Sequence, residues 1–278
     1  MFSIFISIVV AGSVVGACAA AGVKAGTTWY GVLSFLVSFY SISFLIRRKI
    51  KALQNELQES MLAGQQRINR KIQQAQNKPG TNVKLLQRQI EADQKSIFKE
   101  ALAFTSRLEP FKKWSLMMGR QIITMKLQFH YQLREFDQVD AILAKSGLFR
   151  GPLYLEPMLV AMKMARQYKK GDVKGAEKTF KRRLPWFRGN RATLLYALMS
   201  WILVKSDKPE EARQLLLKGK EATGDETLAF NWERLSNDKV KSFSNEGLGD
   251  QWYGLYLENP PMPKQQRVRM SGKGHRPF

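Results

Sequence analysis

Two apolar runs fill the start of this chain, residues 2–23 and 27–46, and the only charged residue among the first 46 is Lys24. About 20 apolar residues carry a helix across a hydrocarbon core of roughly 30 Å, so each run predicts a spanning helix. The connection between them is too short to hold a domain, and the pair is therefore expected to form an antiparallel transmembrane hairpin over residues 1–46 with both ends on one side. Arg47, Arg48 and Lys49 follow at once. By the positive-inside rule this cluster sets the topology and puts the rest of the chain in the cytoplasm. Gly12, Gly16 and Ala20 recur every four residues in the first run. A face of small residues lets another backbone approach closely, and the second helix is expected to seat there.

A competing reading takes residues 1–20 as a cleaved secretory signal, because Val15-Gly16-Ala17-Cys18 resembles a lipoprotein signal in which Cys18 is acylated. Such signals begin with positive charge, which Met1-Phe2-Ser3-Ile4-Phe5 lacks. If it held, one spanning helix would remain and the side occupied by the body would be open. Cys18 is the only cysteine, so an internal disulfide or a cysteine metal cluster is excluded.

The net charge of +22 is spread unevenly. Residues 47–110 hold 13 basic and 6 acidic side chains, and the last 20 residues hold 5 basic and none acidic. Cations near a bilayer serve topology and also attract an acidic leaflet.

Residues 47–77 contain no Gly or Pro except Gly64, and Ile50, Leu53, Leu57, Met61, Ile68 and Ile72 fall at helical spacing. This predicts an amphipathic helix continuing out of the membrane. Asn77-Lys78-Pro79-Gly80-Thr81 supplies turn chemistry, and a second helix is expected with Leu86, Ile90, Ile97, Ala101, Phe104 and Leu108 on one side. The pair reads as an antiparallel coiled-coil hairpin over 47–110 that brings the chain back toward the membrane near Glu109-Pro110. Such a hairpin can also pair two copies of the chain.

Shorter helices follow over 111–258, punctuated by turns before Phe136, Val173 and Pro209, which lie 37 and 36 residues apart. A period of this length marks stacked helix-turn-helix repeats. Tyr196, Met199, Ser200 and Leu203, with Ala212, Leu216 and Gly219 following Pro209-Glu210-Glu211, resemble the tetratricopeptide repeat family. Earlier copies match more loosely, keeping Gly171-Asp172, Ala176 and Phe180, or Phe136 and Leu143. Lys163 stands where the family has an apolar residue. The resemblance implies a short α-solenoid that binds other proteins. Residues 225–258 read as an altered terminal unit, and 259–278 as a disordered basic tail.

Catalytic signatures are thin. His130 and His275, the only histidines, sit in no metal-ligand spacing, and no Gly-rich loop precedes a Lys-Ser or Lys-Thr pair. Glu210-Glu211 and Asp225-Glu226 stand at helix starts, where carboxylates favour the positive end of the dipole. The sequence therefore calls for no catalytic group, cofactor or metal. One cluster is chemically distinctive: Lys178, Lys181, Arg182, Arg183, Arg188 and Arg191 surround Trp186 and Phe187. Cations interleaved with aromatic rings can hold phosphates while a ring stacks on a base or enters a lipid interface. Two packed rings amid solvated cations would look the same in sequence.

The all-α architecture points to a membrane-anchored, non-enzymatic adaptor at a bacterial inner membrane. Its partners would be the bilayer, through residues 1–46, and other proteins, through the repeats. The alternative is a tethered binder of nucleic acid or anionic lipid.

Overall fold

The computed structural model describes residues 2–22, 26–76, 83–115, 117–145 and 151–260. Lys24, the turn expected at 77–81 and the tail from residue 261 lie outside the described residues. The fold is all-α, with no strand among the described residues. Two compact units, Met1–Leu155 and Glu156–Phe278, divide the chain.

In the first unit, α1 (Phe2–Ala20) pairs antiparallel with α2 (Thr27–Gln76). Both helices are long and apolar enough to span a membrane. Phe5, Ile8, Val9, Leu33, Leu36 and Phe44 are all exposed. Helices that satisfy their own backbone while presenting hydrocarbon outward suit a lipid solvent.

The seam between the two helices is not the one expected. A side chain grown at Gly12 or Gly16 would meet nothing within 4 Å, and Ala20 is exposed. Instead Ser3 and Ser7 are buried, with Ala11, Val14 and Cys18 half-buried along the same face. The Ser7 hydroxyl donates to the Ser3 carbonyl at 2.8 Å. That bond satisfies the Ser7 hydroxyl within its own helix. The close backbone approach comes from the other helix, where a Cβ on Gly31 would lie 2.6 Å from Val15 Cγ2.

α2 runs unbroken for 50 residues, about 75 Å. α3 (Val83–Phe104) returns along its distal half. Gly64 permits this approach, since a Cβ there would lie 2.7 Å from the Ile97 side chain. Leu57 and Ala101 join one buried cluster, and ion pairs Lys71–Asp93 (2.5 Å) and Arg107–Glu56 (2.6 Å) flank the seam.

The second arm stops short of Leu108, turning at Phe104 into a 3-10 stretch, Thr105–Lys113. The Thr105 and Ser106 hydroxyls donate to the carbonyls of Leu102 and Ala103, and Pro110 removes a donor and crowds the preceding turn. Beyond it Trp114 packs edge-on against Phe2, ring centroids 5.6 Å apart, with the Lys113 ammonium 5.9 Å from the Phe2 ring. The chain has thus come back to the first residues of α1.

α4 (Met118–Gln132) and α5 (Phe136–Ala144) form the next hairpin. Met118 and Ile122 share a core with Leu108, Ile50 and Leu53, and Phe129 packs with Leu57 and Ala101. The unit boundary consequently falls after Leu155 rather than at residue 110. The first of the expected repeats belongs with the long helical pair because its apolar face is spent on it.

In the second unit, α6 (Pro157–Lys169) and α7 (Val173–Arg183) make one hairpin, and α8 (Thr193–Lys205) and α9 (Pro209–Thr223) the next. α10 (Glu226–Ser236) packs on α9, and a last short helix, α11 (Asp250–Tyr253), follows. Every residue from Thr193 to Leu203 is buried, so α8 is the core of this unit.

The turns expected before Phe136, Val173 and Pro209 share one geometry. A residue in the left-handed region, Arg134 (φ 60°), Gly171 (78°) or Asp207 (56°), precedes one whose N–H reaches back five residues. The bonds are Glu135 to His130 (2.9 Å), Asp172 to Gln167 (2.9 Å) and Lys208 to Leu203 (3.0 Å). This closes the orphan carbonyls of each first helix. A fourth copy, missed in the sequence, stands at Asp238 (φ 54°), with Lys239 bonded to Arg234 at 2.8 Å. After it the chain makes only a 3-10 turn, Val240–Ser242, where a second helix would start.

Candidate functional site

α7 owes its two faces to sequence spacing. Ala176, Thr179 and Phe180 are buried at helical intervals, which leaves Lys174, Lys178, Lys181 and Arg182 exposed on the opposite side. Asp172 fixes the start by accepting a hydrogen bond from the Gly175 N–H at 2.8 Å. Lys174, Glu177, Lys178, Lys181 and Arg182 line an open depression. Glu177, the only acidic residue between Val173 and Ala192, pairs with Lys181 at 2.5 Å.

The helix runs into a 3-10 turn, Leu184–Trp186, and then extended backbone at Phe187. The two neighbouring rings part company there. Phe187 is 4 % exposed and belongs to the core, whereas Trp186 is 66 % exposed. The Arg183 guanidinium lies 5.9 Å from the Trp186 ring and that of Arg191 5.4 Å from the Phe187 ring. Arg188 and Arg191 are exposed. Of the predicted cluster, Lys178, Lys181 and Arg182 share the outer side of α7, Arg183 lies beside the exposed Trp186 indole, Arg191 lies beside the buried Phe187, and Arg188 is exposed.

Lys163 on α6 adds to the positive field. Burial, and then the charges of Arg183 and Arg182, hold its ammonium below the usual lysine range. The sequence flagged the position as one where an apolar residue is expected.

A second surface lies on α8. Gly219 lets α9 press against the Tyr196 ring, where an added Cβ would lie 3.0 Å from Cγ. The face of α8 turned elsewhere carries Ala197 and Trp201, where a stack of helical hairpins would line its inner surface. Here the chain's own C-terminal segment fills it. Asn245 donates to the Ala197 carbonyl at 3.2 Å, and its amide oxygen accepts from Asn231 at 2.9 Å. Trp252 stacks edge-on against Trp201 at 5.7 Å, and Glu258 accepts from both indoles at 2.7 Å. Sequence reading placed residues 225–258 in an altered terminal unit but gave no sign that Glu258 would tie Trp252 to Trp201.

The remaining sequence candidates fall elsewhere. Arg47, Arg48 and Lys49 are exposed where α2 leaves its apolar half. Gly12, Gly16 and Ala20 form an outward face of α1, as described above. His130 Nδ1 pairs with Glu135 at 2.6 Å across the turn between α4 and α5. Glu210 and Glu211 bond Arg213 and Lys208 at the start of α9, and Asp225 accepts from the Leu228 N–H at the start of α10. Among the described residues no three His, Cys, Asp or Glu side chains group as metal ligands would. No protein-family model matches this chain, and no curated protein or solved structure does either.

Proposed function

We propose that this protein is a non-enzymatic adaptor anchored in a bacterial inner membrane. Residues 2–46 cross the bilayer twice, Arg47, Arg48 and Lys49 hold the body on the cytoplasmic side, and tetratricopeptide-like hairpins meet other proteins. The long α2–α3 pair serves as a coiled-coil spacer whose exposed flanks can also pair with a second copy. The observation that carries this reading is the outward apolar surface of α1 and the first half of α2, joined to three hairpins that repeat one turn geometry and a fourth such turn after α10. Because residues 240–258 cover the Ala197–Trp201 face, partners are expected on the outer surfaces of the hairpins.

The test has two parts. In a Cys18→Ser background, Ser236→Cys places a thiol at an exposed site for a membrane-impermeant reagent. Labelling only after lysis fits the two-span topology, and labelling in intact cells with a permeable outer envelope refutes it. Crosslinking in membranes followed by affinity capture should return the same protein partners in replicate preparations. Failure to do so counts against the adaptor role.

A further inference from the structure

We propose that the outer face of α7, with the Leu184-Pro185-Trp186 turn, is a docking site for the headgroups of an acidic phospholipid bilayer. The proposal rests on the reading that residues 2–46 span a membrane, since that anchor keeps a bilayer always within the reach of one chain.

Three observations combine. The turn ends α7 in an apolar tip, with Leu184 half-buried, Pro185 exposed and Trp186 66 % exposed. An indole with one apolar body and one N–H is the side chain that partitions best into the headgroup region. The flanking segments carry exposed charge of one sign, with Lys178 and Arg182 on the α7 leading to the tip and Arg188 two residues beyond it. Arg183 keeps its guanidinium over the indole itself. The one carboxylate between Val173 and Ala192, Glu177, is already paired with Lys181, and Glu211 on the neighbouring α9 is bonded to Lys208, so each of these acids already has a cation of its own. The inner α8 surface is closed by the chain's own Trp252 and Glu258, which leaves this face as the exposed aromatic surface of the α6–α9 hairpins.

Nucleic acid fits the same charges less well. Single strands are gripped in a basic groove where successive bases stack on several rings. Here one ring protrudes at a turn, Phe187 beside it is buried, and the adjoining depression is lined by a single helix.

The full chain in phosphatidylcholine nanodiscs can be offered separate vesicles of phosphatidylcholine alone or with phosphatidylglycerol, and capture read by flotation. Entry into the nanodisc reports on the anchor, and vesicle capture on the docking face. Wild type is expected to capture only the acidic vesicles. Arg182→Gln, Arg183→Gln and Arg188→Gln together should weaken capture by roughly 30- to 100-fold, and Trp186→Ala by several-fold. Arg67→Gln, Arg70→Gln and Lys95→Gln, exposed cations of α2 and α3, remove the same charge elsewhere and should leave most of it.

Equal losses in the two triple variants overturn the proposal, because net charge alone would then explain capture. It also falls if wild type ignores phosphatidylglycerol, or binds a short single-stranded oligonucleotide through these residues while treating both vesicles alike. A chain that enters nanodiscs but captures nothing refutes the docking face and keeps the anchor. One that stays out of them yet captures acidic vesicles refutes the anchor and keeps the docking face.

Discussion

Glu258 accepts a hydrogen bond from the Trp201 indole at 2.7 Å, tying the end of the described chain to its central helix 57 residues earlier. Its other carboxylate oxygen takes the Trp252 indole at the same distance. Both rings are buried, Trp252 completely, so their N–H groups have no water to turn to.

Removing that acceptor is therefore expected to cost more than one surface contact. Glu258→Ala should destabilise the second unit by about 2–3 kcal/mol, the penalty of leaving buried donors unpaired. Glu258→Gln, which keeps one acceptor oxygen, should lose less. Urea unfolding followed by tryptophan emission reads both, and a wild-type midpoint in the alanine variant would dismiss the clasp.

The repeated turn predicts effects of opposite sign at equivalent positions. Gly171 adopts φ 78° without a Cβ, whereas Asp207 carries one at φ 56°. Gly171→Ala should cost about 1 kcal/mol, and Asp207→Gly should gain up to about 0.5 kcal/mol once the entropy of glycine in the unfolded chain is set against the relief. Denaturation midpoints moving in the same direction would show that the turns are not equivalent.

In the apolar hairpin the discriminating pair is Gly31 and Gly16. Gly31→Leu drives a side chain into Val15 and should destabilise the pairing by about 1–3 kcal/mol. Gly16→Leu enters open space and should leave it intact. Helical circular dichroism during heating in detergent micelles separates the two, and equal sensitivity would restore the small-residue face as the seam.

Lys163 gives a pH dependence. Its folded pKa lies below the ordinary lysine value of 10.5, first through burial and then through Arg183 and Arg182. Between the lowered value and 10.5 the unfolded chain binds more protons than the folded one, so stability rises with pH across that window. Below the window both states are protonated and the penalty is constant. Lys163→Met should abolish the alkaline rise and increase stability at neutral pH. Urea melts at successive pH values measure it, and an unchanged slope in the variant would assign the rise to another group.

Much of this architecture is written in local pattern. The two apolar runs, the 3.6-residue periodicity from Ile50 to Ile72 and the turn chemistry before Phe136, Val173 and Pro209 depend only on neighbours in the chain, and the helices lie where these place them. Gly64, the one break in a long helical run, turned out to be where Ile97 approaches, a requirement that composition flags without explaining.

Which faces meet was decided by tertiary structure, because burial is a property of the whole set of surfaces. Ser3 and Ser7 are buried while Gly12 and Gly16 face open space, and the close backbone approach is made instead at Gly31 against Val15. The α4–α5 hairpin spent its apolar face on Leu57, Ala101 and Leu108 and left the later repeats to another unit. Trp186 and Phe187, adjacent and alike in sequence, were separated by a backbone that turned one ring into the core and the other out. The closing of the α8 face by Glu258 needed two indoles and a carboxylate from distant positions to arrive together, and no local pattern encodes that meeting.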